Sequence, residues 1–69
     1  MLIEKTLKLT AGERKLQTFV AAIAAPFREV IEKRDGHLLL RIQTEPNKYK
    51  DLLNAANKHG IKWEQIKDT

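Results

Sequence analysis

Apolar and polar residues alternate through the first ten positions. Ile3, Leu7 and Leu9 fall on one face and Glu4, Thr6 and Lys8 on the other, with Lys5 out of step. A period of two predicts a half-buried strand from Leu2 to Leu9. From Thr10 the period changes. Leu16, Phe19, Val20, Ile23, Phe27, Val30 and Ile31 recur at spacings of three and four, which is one face of a helix. Thr10 and Glu13 have the spacing of a capping box, each side chain serving a free N–H of the first turn. Pro26 lacks a helix N–H and crowds the turn before it. The apolar stripe nevertheless keeps its phase across that proline. The pattern therefore predicts one helix over residues 10–36, kinked at Pro26, with two abutting helices as the alternative. Glu29 can pair with Lys33, Lys33 and Arg34 suit the negative helix end, and Gly36 suits a left-handed closing position.

Alternation returns at His37–Thr44, where Leu38, Leu40 and Ile42 face inward and Leu39, Arg41 and Gln43 outward. Glu45-Pro46 starts a second helix, since proline is tolerated in a first turn. Tyr49, Leu52, Leu53 and Ala56 form its apolar edge, and Lys58-His59-Gly60 ends it. Ile61 to Lys67 reads as a third strand with Ile61 and Trp63 on one side and Ile66 on the other. The expected order is β-α-β-α-β: an α/β two-layer sandwich, with an α+β arrangement as the other option. Short connections favour parallel strands joined by crossovers, with both helices on one face of the sheet and the other face open. Phe19, Phe27, Tyr49 and Trp63 are expected in the core.

The chain has 69 residues, the size of one small domain with little core to spare. Cysteine and serine are both absent, which removes disulfides, thiolate metal sites and the common thiol and seryl nucleophiles. All three glycines fall near predicted helix ends, so no glycine-rich phosphate loop exists. No apolar run is long enough to span a bilayer, and the opening residues do not resemble a signal peptide. His37 and His59 lack further ligands at metal-binding spacing. These observations point to a non-enzymatic protein with no cofactor or metal and no membrane association, in reducing, cytoplasmic surroundings.

Thirteen basic and nine acidic residues give a net charge of +4, interspersed along the chain. That balance suits solubility, and also an acidic partner or nucleic acid. Two surfaces are candidates. On the back of the long helix, Ala21, Ala22 and Ala25 with Arg28 make a patch that a partner protein could approach closely. On the open sheet face and second helix, Lys8, Arg41, Lys50, Asn54, Lys58 and Lys62 could follow a phosphate backbone, although aromatic stacking platforms are missing there. The leading expectation is a small regulatory or accessory protein that binds another protein. A basic nucleic-acid-binding module is the alternative, and unpaired sheet edges make a second copy of the chain a further candidate partner.

Overall fold

A computed structural model describes residues 1–66. It is an α+β fold: strand β1 (Ile3–Thr10), helix α1 (Glu13–Ala21), a 3-10 turn (Ala25–Phe27), strands β2 (Arg28–Arg34) and β3 (His37–Thr44), helix α2 (Pro46–Lys58) and strand β4 (Lys62–Ile66). The four strands form one sheet in the order β2-β3-β1-β4, and every neighbouring pair is antiparallel. The expected three-stranded parallel sheet is thereby corrected. β1 and β2 run parallel, but β3 lies between them. This is the split β-α-β, or ferredoxin-like, connectivity, an architecture that by itself assigns no function.

The difference originates at Pro26. Helix α1 stops at Ala21, with Ala22 as its last residue near helical geometry. Ala24 is extended (φ −59°, ψ 136°), and Pro26 occupies the first turn of the 3-10 segment, where a missing N–H costs nothing. By Arg28 the backbone is in strand geometry. Phe27, Val30 and Ile31, which continued the helical stripe in sequence, are among the most exposed large apolar side chains of the molecule. Gly36 closes no helix. With Asp35 it makes the two-residue turn between β2 and β3, and its φ of +77° is one that glycine adopts freely.

Thr10 is likewise not a cap. It is the last residue of β1, and Gly12 takes the N-cap position of α1 without a side-chain bond. The second helix begins at Pro46 as expected, with Glu45 as its N-cap residue and Gly60 at φ +74° just past its end. The final strand forms over Lys62–Ile66, and the predicted Lys67 lies outside the described residues.

One face of the sheet carries the core. Leu7 and Leu9 of β1 and Leu40 and Ile42 of β3 have no exposed surface. Each such side chain contributes on the order of 1.5–3 kcal/mol by leaving water. Leu16 and Phe19 from α1 and Tyr49 and Ala56 from α2 join the same cluster, so both helices cover the same face. Ile61 is buried and Trp63 half-buried against that cluster. Pairing registers put Trp63 beside Leu9 on the helix side and Ile66 beside Thr6 on the open side.

Candidate protein-binding grooves

α1 is short and does not reach over β2, which leaves the helix side of that edge strand uncovered. A groove of about 190 Å³ opens there, floored by Leu16, Val20, Val30 and Leu38 with Ala21 on its wall. Val30 faces the groove because it pairs with Leu40, a core residue of β3. It remains 47% exposed, and Ile31, at a bulge between Val30 and Glu32, is 42% exposed. Among the described residues no strand lies beside the outer edge of β2.

Arg28 starts β2 on the helix side and turns back to α1. Its Nη1 donates to the carbonyl oxygens of Val20, at 2.7 Å, and of Ile23. A cation on the last carbonyls of a helix satisfies orphan acceptors and complements the negative helix end. Farther along, Lys33 Nζ lies 3.6 Å from Glu13 Oε1, which ties β2 to the start of α1. The groove is thus closed at both ends by a cation that bridges strand and helix.

A second groove, of about 280 Å³, lies on the other side of α1, between α1 and α2. Ala22 lines it rather than the first groove, and Ala25 lies apart in the 3-10 segment. The alanine patch read from the sequence is therefore divided: Ala21 and Arg28 belong to one groove, Ala22 to the other.

The residues proposed to follow a phosphate backbone are also divided. Lys8, Arg41 and Lys62 project from the open sheet face, as their pairing registers require. Lys50, Asn54 and Lys58 are exposed on α2, in the layer behind the sheet. Arg41 is bracketed by carboxylates, with Nε 3.5 Å from Glu4 Oε1 and Nη1 3.6 Å from Glu29 Oε2. Lys8 stands opposite Glu64. Both arrangements dilute positive charge on the open face.

His37 and His59 do not meet. His37 sits on the open face, 3.4 Å from Thr10 Oγ1, and His59 caps α2 in the helix layer. Among the described residues no group of three or more histidine, aspartate or glutamate side chains is arranged to hold a metal ion. Nor, among the described residues, is any helix long and apolar enough to cross a membrane. Burial pushes the Tyr49 phenol above its usual value. Its hydroxyl donates to Gln65 Oε1 at 2.8 Å, holding α2 to β4.

The exposed edge strand is the feature that sequence reading missed. Its signal was present as Asp35-Gly36, a strong hairpin dipeptide when apolar runs flank it. A scan against protein-family models and searches of curated proteins and solved structures found nothing that matches this chain.

Proposed function

We propose that the chain is a small non-enzymatic accessory protein that binds another protein, and that the free edge of β2 is where it does so. The observation carrying this reading is the pairing of an unpartnered strand edge with an apolar groove directly beside it. An extended segment added along β2 would satisfy backbone groups of the edge and place alternate side chains over Val30 and into the groove. Ala21 keeps the groove wall low enough for such side chains to enter.

A different chain suits this edge better than a second copy. Arg28, Val30 and Lys33 share the helix face of β2, while Glu29, Glu32 and Arg34 share the open face. Antiparallel pairing of two β2 strands must match like faces. Of the registers that keep Val30 paired, two set glutamates against each other without compensation, Glu29 against Glu32 or Glu29 against Glu29, and the third sets Glu32 against Glu32 with Glu29 opposite Arg34. Opposed glutamates are destabilising.

Site-specific photo-crosslinking in cells, from a probe placed at Val30 or at Lys50, tests the proposal. A different protein should be captured from position 30 and not from position 50, and Ala21→Glu should abolish that capture. The purified chain should be a monomer by light scattering. Capture that survives Ala21→Glu, a crosslinked dimer of the chain itself, or salt-sensitive crosslinks to nucleic acid from position 50 would each overturn it.

A further inference from the structure

The groove between α1 and α2 differs in chemistry from the one beside β2. Its floor is apolar and recessed: Phe19 and Ile61 are almost fully buried, and Leu52 is half-buried. Its polar rim is supplied by Arg14, Lys15 and His59, and among the described residues no carboxylate lines it. Neither Arg14 nor Lys15 makes an ion pair among the described residues. The Lys15 ammonium lies over the end of α2, 3.4 Å from the point where a side chain on Gly60 would begin. Thr18, Ala22 and Ala55 are the small residues that hold the two helices' facing surfaces low.

The geometry points to a second docking site, separate from the β2 edge, for an acidic amphipathic helix of a partner protein. Charge complementarity selects the occupant. Cations flank an apolar floor, so the matching segment carries apolar anchors on one face and aspartate or glutamate beside them. Recession of the floor favours a helix over a lipid surface, because Phe19 and Ile61 lie below the rim and a flat bilayer would meet only the cations. Small residues along the walls leave room for the anchor side chains of such a helix, and α1, at nine residues, offers contact along ~13 Å.

The probe is a synthetic helical peptide of about 14 residues, with leucine at i, i+4, i+7 and i+11 and glutamate at the polar positions. A counterpart with lysine in place of glutamate is the control. Amide chemical shifts of the whole chain are followed during titration. The glutamate peptide should move Phe19, Ala22, Leu52 and Ala55, and its affinity should fall as salt rises from ~0.1 M to ~1 M, across which the screening length drops from ~10 to ~3 Å. Arg14→Glu with Lys15→Glu should weaken it at least about fivefold and improve binding of the lysine peptide. Ala22→Trp, at an exposed position that leaves the fold intact, should block the groove. Equal binding of the two peptides, shifts confined to β2, no shifts, or uptake by phosphatidylglycerol vesicles without peptide binding would each overturn the assignment. Loss of crosslinking from Val30 with this titration intact would remove the strand-addition site alone.

Discussion

Two aromatic residues show how a small core reaches its rim. Tyr49 and Trp63 each bury a ring and keep a polar tip bonded, Tyr49 to Gln65 and Trp63 Nε1 to Asn57 Oδ1 at 3.0 Å. Because burial raises the phenol's pKa, the folded state holds its proton at pH values where the unfolded chain has begun to lose it. Stability from this source is complete below about pH 10, the ordinary value, and falls as pH rises through the higher folded value. Tyr49→Phe should therefore cost about 1 kcal/mol near neutrality through the lost hydrogen bond. It should also flatten the alkaline decline in denaturant midpoint relative to the parent chain. An unchanged alkaline slope would exclude this tyrosine as its source. The sequence places both inside, since a chain of this length must bury most of its large apolar groups, but the same reasoning places Phe27 inside and it is exposed. Arg28 was not legible in that way. Its value as a lid on the last carbonyls of α1 depends on where the chain turns, and spacing along the sequence carries no record of that.

At the scale of elements, the sheet's inner strands and the β4 edge are readable in the sequence and the β2 edge is not. β3, and β1 apart from Lys5, alternate because one face is packed and the other is more open. β2 is wet on nearly all sides, so its apolar residues obey no period of two, and the bulge at Ile31 places two of them in succession. By accident Ile23, Phe27, Val30 and Ile31 then fall at helical spacing. The turn after β2 is a sharper diagnostic. Gly36→Ala should destabilise the fold by about 1–2 kcal/mol, since a side chain there is strained at φ +77°. The added methyl itself would sit 3.8 Å from the Ala11 carbonyl oxygen, an ordinary contact, so the cost is conformational. In a chain of this length the melting temperature should fall by roughly 4–8 °C per kcal/mol. The same substitution at Gly12, which has a negative φ and open space around it, should leave melting nearly unchanged.

For the molecule as a whole, order in the sheet sets a hierarchy of protection. β1 is hydrogen-bonded on both sides, to β3 and β4, and it carries Leu7 and Leu9 into the core. Among the described residues β2 has one neighbour, and its ladder is disrupted. Hydrogen exchange should accordingly be slowest at Leu7 and Leu9 and fastest, among strands, at Val30 to Lys33. Comparable protection of β2 in the isolated chain would mean that its outer edge is already occupied. The open edge and both grooves belong to this level of description. None could be found from residues taken one at a time, because each is made by elements distant in sequence.

The central position of β1 has a consequence for how the chain is made. Both strands that flank β1 come later in sequence, β3 beginning at His37 and β4 at Lys62. A nascent chain that has emerged only as far as α1 and β2 holds two parallel strands that cannot bond to each other, because the strand between them does not yet exist. Emergence of β3 joins them in one step, so assembly on the ribosome should be abrupt and late rather than gradual. Until then the strand destined for the centre presents two bare edges, and Glu4, Lys5 and Lys8 are the charges along it that oppose pairing with the wrong neighbour.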